Sequence, residues 1–385
     1  MGALRRDVAL ATGTGTAIGF TYAAHGPLLP LISGEFGLSD VQAGLISTAI
    51  FLAAAGTMLL MGDLADRYPT RGAVTFGMAL TLAGNAASAW APSYELLLAA
   101  KAIGGVGAGF GFLAGIRYVQ RRYGDARPHF GQGVYGAGYP LGSAVGLWVM
   151  PPLALLWDWR GAFAATSVAI AVVLIAWLWA TPIGRLARPG NMLDAARCLN
   201  CWWTLVQHAA GFGLVFAAAT WITTFLLREF ALPLEASGLL GSILLVVAVI
   251  ARPIGGFLVA REHVGTKTVM RAAQLTILVG IALIAFPGRP LLAALAGVIA
   301  MGLGGGIPYS AVFNTGAASL PKAPSAAQGL TAMGGLLGTL VGAPAMGYAI
   351  QTWGFSWAWL ILGGISAAAL AVTFVMRGEE ELGTG

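Results

Sequence analysis

Residues Gly62–Arg71 read GDLADRYPTR, a short charged stretch between two long apolar segments of a 385-residue chain. A partial copy, GFLVAREHVGTK, occupies residues 256–267. The residue pairs that match at this offset of 194 positions include Gly62 with Gly256, Arg67 with Arg261, and Trp159 with Trp353. Matches at a single spacing close to half the chain length predict two halves that are related by duplication.

The composition around these two stretches indicates a membrane protein. Hydrophobic residues make up 58% of the chain and charged residues only 9%, which excludes an ordinary soluble domain. The 56 glycines and long apolar runs favour closely packed membrane helices over an outer-membrane barrel. Arg5 and Arg6 precede an apolar run, as in a signal peptide, but that run is long enough to span a bilayer. We therefore expect a retained first helix.

Apolar windows of about 20 residues predict twelve membrane spans. The spans are expected near residues 8–32, 41–62, 72–91, 95–119, 130–156, 160–181, 201–227, 236–258, 268–286, 290–314, 326–350 and 354–376. The duplication groups them into an N-terminal six-helix bundle at 1–182, a cytoplasmic linker at 183–200 and a C-terminal six-helix bundle at 201–385.

The distribution of lysine and arginine predicts the orientation. With both termini in the cytoplasm, sixteen basic residues fall on the cytoplasmic side and only Arg160, Arg228 and Arg289 fall outside. The net charge of +6 is therefore a topology signal and does not indicate a nucleic-acid partner. We expect a monomer in the cytoplasmic (inner) membrane, whose partners are the lipid bilayer and a small-molecule substrate.

The loop Gly62–Arg71 resembles the hallmark loop of the major facilitator superfamily, Gly-x-Leu-Ala-Asp-Arg-x-Gly-Arg-Lys/Arg, from which Pro69 and Thr70 depart. The resemblance implies an all-α membrane protein with twelve transmembrane helices in two six-helix bundles related by pseudo-twofold symmetry. It also implies alternating access, because a charged pair at a helix end can hold one conformation of two rocking bundles. The residues it assigns to gating are Gly62, Asp66, Arg67, Arg71, Gly256 and Arg261.

Acidic residues are absent from the predicted membrane interior. All fifteen Asp and Glu residues fall in loops or near span ends, so no buried carboxylate is expected to bind a coupling proton. Span five reads GAGYPLGSAVGLWVMPP at residues 136–152 and lacks the antiporter signature of the superfamily. Both observations argue against a proton-driven drug exporter.

A positive charge occurs instead, in LVVAVIARPIGGFL at Leu245–Leu258. Arg252 has no carboxylate at its depth, so we predict that the substrate is an anion that pairs with its planar guanidinium. The segment resembles the eighth span of nitrate/nitrite porters and oxalate/formate exchangers. Nitrate porters have a second arginine in span two, where the repeat places Met58, and this argues against nitrate itself. The alternative is an Arg252 that reaches the cytoplasmic surface.

Other residues are weaker candidates for the substrate site. Lys101, in the glycine-rich span four, fits either the cavity or an interfacial position near Glu95. His25 could bond to the substrate or carry a proton, or it could be satisfied by a backbone carbonyl. The remaining candidates are aromatic or amide residues on spans one, five, seven and ten, for which core packing is an equal interpretation: Tyr22, Tyr135, Tyr139, Trp221, Tyr309 and Asn314.

No machinery for chemistry is visible. Cys198 and Cys201 lack the second pair that a zinc site requires, and no nucleotide motif or catalytic triad occurs, so we predict neither a cofactor nor an enzyme. The sequence predicts a secondary active transporter that moves a small organic anion by exchange, uniport or symport. The alternatives are an exporter of a neutral or amphipathic molecule and a membrane receptor or sensor that does not transport.

Overall fold

A computed structural model describes residues 2–67, 69–123, 128–183, 192–260 and 264–382 of the chain, and side chains within these ranges except at 59–67, 113, 120, 123, 128–133, 260 and 325. The described chain is helical throughout its ordered elements, as the sequence predicts. Its helices are α1 Gly2–Ala23, α2 Leu29–Phe36, α3 Asp40–Arg67, α4 Thr70–Ala89, α5 Tyr94–Tyr123, α6 Pro128–Trp177, α7 Met192–Arg197, α8 Leu199–His208, α9 Leu214–Phe230, α10 Leu234–Ala260, α11 Thr266–Ala285, α12 Leu291–Gly306, α13 Tyr309–Ser319, α14 Pro324–Trp353, α15 Phe355–Val375 and α16 Glu379–Leu382.

Nine helical segments in the described ranges are long and apolar enough to cross a membrane. One of them, Val134–Trp177, is 44 residues long and holds two predicted spans. Its helix α6 is interrupted at Trp157 and Asp158, whose backbone angles are not helical, and Asp158 has a φ of 57°. The predicted spans near 8–32 and 72–91 correspond to α1 with α2 and to α4.

Two predicted spans are each divided into two helices. The first span breaks after Ala23 and continues through a 3₁₀ turn at Gly26–Leu28 into α2. Pro27 cannot donate a backbone hydrogen bond, so it cannot continue the hydrogen-bond ladder of α1. The tenth span divides at Ile307 and Pro308 between α12 and α13, where Pro308 likewise has no N–H to donate. The hydrophobic spans that the sequence predicts are present at these two places, and each consists of two consecutive helices.

Contacts divide the chain into two compact units, and the first comprises Met1–Pro189 and Ile222–Ser242. In this unit α1 packs along α6, and α5 packs on both α3 and α4. Gly84 permits close approach of α4 and α5, because a Cβ there would lie 2.6 Å from the Ala100 carbonyl. Small residues at such contacts let membrane helices pack tightly.

The second unit comprises Gly190–Trp221 and Ile243–Gly385. Here α11 packs on α12 and α15, and α14 packs on α8 and on a π-helical segment at Ala209–Gly213 that joins α8 to α9. Gly280 permits the contact of α11 with α12, because its Cβ would lie 2.7 Å from the Gly297 carbonyl. Both units thus use glycine at an equivalent helix pair.

Every carboxylate among the described side chains lies within two turns of a helix end or break. The Asp7 side chain is buried, 2.8 Å from Arg122 Nη2 and 3.2 Å from Arg6 Nη2, and it accepts a hydrogen bond from the Thr181 N–H. Burial by itself would raise the pKa of Asp7, but the hydrogen bonds from Thr181 and Arg6 and the charge of Arg122 outweigh it and lower the pKa below its usual value.

Candidate functional site

Arg252 lies on α10, immediately before Pro253, and is only 6% exposed. Its guanidinium carbon lies 4.3 Å from the centre of the Tyr309 ring and 5.9 Å from the centre of the Phe212 ring. Aromatic faces attract a guanidinium electrostatically, by about 0.5–2 kcal/mol depending on exposure to water. The second unit therefore holds the arginine side chain among aromatic rings and does not leave it at a surface.

Two rows of rings form the surroundings of Arg252. His208, Phe212 and Phe216 recur every four residues through the π-helical segment, with ring centres 5.3 Å and 4.1 Å apart along the row. Tyr309 and Phe313 on α13 are 4.8 Å apart, and Phe313 lies 5.0 Å from His208. We refer to Arg252, His208, Phe212, Tyr309 and Phe313 as the Arg252 cluster. Local π-helix is rare and occurs frequently at functional sites.

His208 is not among the candidates that the sequence indicates, and its place in this cluster was missed. The backbone N–H of Gly335 on α14 donates to Nδ1 of His208 over 3.1 Å. A Cβ on Gly335 would lie 2.7 Å from the ring, so only glycine lets the helix approach this closely. The four-residue spacing of His208, Phe212 and Phe216 was the available signal, because it places the three rings on one helix face.

The backbone near Arg252 is held by a second close contact. A Cβ on Gly255 would overlap the Ile307 carbonyl, whereas a Cβ on Gly256 would make an ordinary 3.6 Å contact with Ser310. Gly255 is therefore the residue that sets the packing of α10, and the sequence had named only Gly256.

The side chains of most other residues predicted to act in gating are not described. Gly62, Asp66 and Arg67 lie at the end of α3, within 59–67, and Arg261 lies outside the described residues, so their predicted role stays a prediction. Arg71 is described: its guanidinium donates to the Leu178 carbonyl, and its own carbonyl accepts from Trp177 Nε1 at 3.2 Å. These bonds tie the start of α4 to the end of α6.

Lys101 lies on α5 in the first unit and is 4% exposed. Its Nζ is 3.7 Å from the centre of the Phe163 ring and interacts electrostatically with His25. A cavity of about 10 Å³ beside it is lined by Thr21, Thr81, Asn85 and other residues of α1, α3, α4 and α5. This lysine is buried and does not extend to an interface near the exposed Glu95.

The remaining candidates in the first unit form bonds within the protein. His25 Nε2 lies 2.7 Å from Ser47 Oγ. The Tyr22 ring centre lies 6.3 Å from that of Tyr139, whose hydroxyl is 2.7 Å from the Tyr135 hydroxyl. These tyrosines are brought together, but in a different unit from Arg252.

The remaining candidates in the second unit have different surroundings from one another. Trp221 is fully buried and donates its indole N–H to the Ala343 carbonyl at 2.8 Å, which satisfies its only polar group. Asn314 is half-buried on α13, five positions after Tyr309 and thus off the face that Tyr309 and Phe313 share. Cys198 donates to the Ser319 carbonyl, and no group of three potential metal ligands occurs among the described residues.

The family model of the Major Facilitator Superfamily matches residues 12–330 and 203–384. The probable nitrate/nitrite antiporter NarK1 of Thermus thermophilus is 29% identical over 84% of this chain and 80% of its own length. The probable nitrate/nitrite transporter NarK2 of Mycobacterium tuberculosis is 28% identical over 68% of this chain and 66% of its own length.

The fold has solved relatives. The crystal structure of a D-xylose-proton symporter matches with a TM-score of 0.80 over 98% of this chain and 99% of that chain, at 15% identity. These matches confirm the predicted twelve-helix fold class, the resemblance to the nitrate/nitrite porters and the prediction of a multi-pass membrane transporter rather than an enzyme. The chain belongs to the Major Facilitator Superfamily.

Proposed function

We propose that this transporter moves a small, monovalent, planar oxyanion, such as a carboxylate or a nitrate-type anion, which binds the guanidinium of Arg252. One observation carries the proposal: Arg252 is 6% exposed in a membrane helix and lies among aromatic rings. The planar fork of arginine suits two oxygens of one anion, and the charge of that anion would offset the cost of burying a guanidinium in a membrane helix.

The charge of the site favours a single negative charge on the substrate. The repeat pairs Arg252 with Met58, an apolar side chain that is 7% exposed on α3. Of the two positions that the repeat pairs, only one therefore carries a guanidinium. A site for a dianion would benefit from two. The names of the two relatives refer to nitrate and nitrite, which are small oxyanions of one charge, and this supports the same class of substrate.

The transport cycle that we propose is alternating access by the two halves at 1–182 and 201–385, with the loop Gly62–Arg71 as a gate. The mode that we propose is exchange, uniport or symport. Exchange and uniport require no proton carrier in the protein, and the carboxylates among the described side chains lie near helix ends or breaks. We propose that both termini are cytoplasmic, because the positive-inside rule places sixteen of the 21 basic residues on that side. We also propose that the chain functions as a monomer.

Reconstituted protein provides the test. Proteoliposomes loaded with nitrate, nitrite, formate or oxalate are assayed for counterflow, and thermal stability is measured with each anion, because a ligand that binds only the folded state raises stability. We expect exchange of at least one monovalent anion. Arg252→Met should reduce transport about 100-fold while folding is retained, and Arg252→Lys should weaken it without abolishing it, since the fork but not the charge is lost.

The panel also distinguishes the alternatives. Activity with formate but not nitrate would support an organic substrate, and the reverse would support an inorganic one. An Arg252→Met variant that transports at the wild-type rate would overturn the proposal. Transport of neutral or amphipathic compounds, without any response to the anions, would favour an exporter in which Arg252 is structural.

A further inference from the structure

We infer that His208 is a second contact of the transported anion and donates a hydrogen bond from Nε2. This inference rests on the proposed function, because it assigns a residue to the same site. It begins from a side chain that is 7% exposed and whose two ring nitrogens differ in their surroundings. Nδ1 accepts from the backbone of Gly335, whereas Nε2 is buried and has no hydrogen-bond partner among the described residues.

The backbone around Nδ1 offers both kinds of partner, the N–H of Gly335 and the carbonyls of Thr331 and Ala332. We infer that Nδ1 accepts from Gly335, and a ring nitrogen that accepts a hydrogen bond carries no proton, so the proton of the neutral ring is then on Nε2. A buried donor without a partner costs about 1–3 kcal/mol, and polar groups in protein interiors are nearly always satisfied. An oxygen of the substrate would provide the missing acceptor.

The position of the ring connects it to Arg252. Phe212 contacts both side chains, with its ring centre 5.3 Å from that of His208 and 5.9 Å from the Arg252 guanidinium carbon. Tyr309 also contacts both, at 6.3 Å from His208 and 4.3 Å from Arg252. The guanidinium and the imidazole also interact electrostatically. The two groups therefore share neighbours in one part of the second unit, and in our proposal a single small anion binds both.

The two groups would contribute differently to recognition. Arg252 supplies the charge, and a neutral imidazole adds a directed donor without adding a second charge. Such a pair favours an anion with one negative charge and at least one further acceptor oxygen over a dianion. The hydrogen bond from Gly335 orients the ring, as outer partners do for other histidine ligands.

Two substitutions of His208 test the roles of its two ring nitrogens one at a time. His208→Asn places an oxygen close to the position of Nδ1, so it can still accept from Gly335 but lacks the distal donor. His208→Gln reaches further and places an amide donor close to Nε2. We expect His208→Asn to weaken anion binding about 10- to 100-fold, as loss of a hydrogen bond to a charged group does, and His208→Gln to stay within about threefold of the wild type.

Binding is measured by calorimetry on the purified full chain with nitrate and formate, beside Arg252→Met and with thermal melts of all variants. If the wild type and His208→Asn bind equally tightly, the inference is wrong, while loss in Arg252→Met keeps the proposed function. If the wild type binds none of the anions, the proposed function fails and the inference falls with it.

A measurement on the wild type covers the case in which His208→Asn does not fold. The ¹⁵N resonances of the His208 ring should report the Nε2–H tautomer, and saturating nitrate or formate should shift the Nε2–H signal. A signal that is unchanged by an anion that binds would contradict a direct contact.

Discussion

Lys101 in the first unit and Arg252 in the second are both buried cations on membrane helices, and each lies over an aromatic ring. Their other neighbours differ. Lys101 adjoins a cavity of about 10 Å³ whose walls are mostly apolar and include the polar residues Asn85 and Thr81. Such a volume holds roughly one water molecule and is too small for an organic anion. Arg252 instead has aromatic rings and His208 around it.

The difference follows from the two cationic groups. An ammonium is a compact point charge that one ring and one water can stabilise, whereas a guanidinium presents several donors in a plane and matches a bidentate oxyanion. Lys101 has the Phe163 ring and a cavity of about the size of one water molecule beside it, whereas Arg252 has the faces of Tyr309 and Phe212 beside it. A buried charge alone therefore does not identify a binding site; the chemistry of its neighbours does.

Asp7 extends the comparison to a buried charge whose partners are all in the protein. Asp7→Asn should destabilise the chain by about 3 kcal/mol at neutral pH, because it leaves the partly buried Arg122 without its carboxylate. Since the pKa of Asp7 is lowered in the folded state, its contribution is complete above the unfolded value of about 3.9 and is lost as the pH falls below that value through the folded pKa.

Thermal melts between pH 3 and pH 8 measure this effect, with the exposed carboxylate variant Glu95→Gln as the control. The melting temperatures of wild type and Asp7→Asn should converge at the acid end. An equal difference at all pH values would show that packing rather than the charge is responsible.

Tyr309 tests whether the rings hold the guanidinium. Tyr309→Leu removes the aromatic face at 4.3 Å, and the loss of a cation–π contact should weaken nitrate or formate binding about 3- to 30-fold. Tyr309→Phe keeps the face and should bind almost as the wild type does. If both variants lose affinity equally, the hydroxyl rather than the ring is the important group, and the description of the site changes.

Substitution of Lys101 should have the smallest effect on transport, and it tests most directly whether Lys101 and Arg252 differ in role. Lys101→Met removes a buried charge and keeps an apolar chain of similar length, so we expect transport within about threefold of the wild type and a melting temperature that is not lowered. Counterflow and thermal melts on the same preparations measure both. A loss of transport as large as that of Arg252→Met would place Lys101 in the substrate path and break the distinction.

The membrane class and most of the helices were predictable because hydropathy is a local property. The helix bounds follow the predicted spans closely, with the exceptions at Pro27 and Pro308, where proline divides a hydrophobic run. The duplication, the hallmark loop and the intramembrane Arg252 were also readable from the sequence, since each depends on residues that are close together or at one fixed spacing.

The three-dimensional surroundings of those residues could not be predicted from the sequence. Nothing near Arg252 in the sequence predicts its contacts with Tyr309, 57 positions later, and Phe212, 40 positions earlier. Trp221 and Tyr309 were equal candidates in the sequence, yet one bonds to a backbone carbonyl and the other faces the guanidinium.

The sequence by itself determined that this protein is a twelve-helix transporter with a positive charge inside the membrane. Composition, the spacing of the internal repeat and short motifs can all be found in the sequence without knowledge of the fold. Only the tertiary structure decided what surrounds each charge: one ring and a small cavity for Lys101, and the rings of Tyr309 and Phe212 for Arg252. The Nδ1 bond that orients His208 comes from Gly335, 127 residues away, and it forms only when α14 packs against α8. Contacts between residues that are distant in the sequence depend on helix packing. The candidate site therefore forms only when the helices pack together.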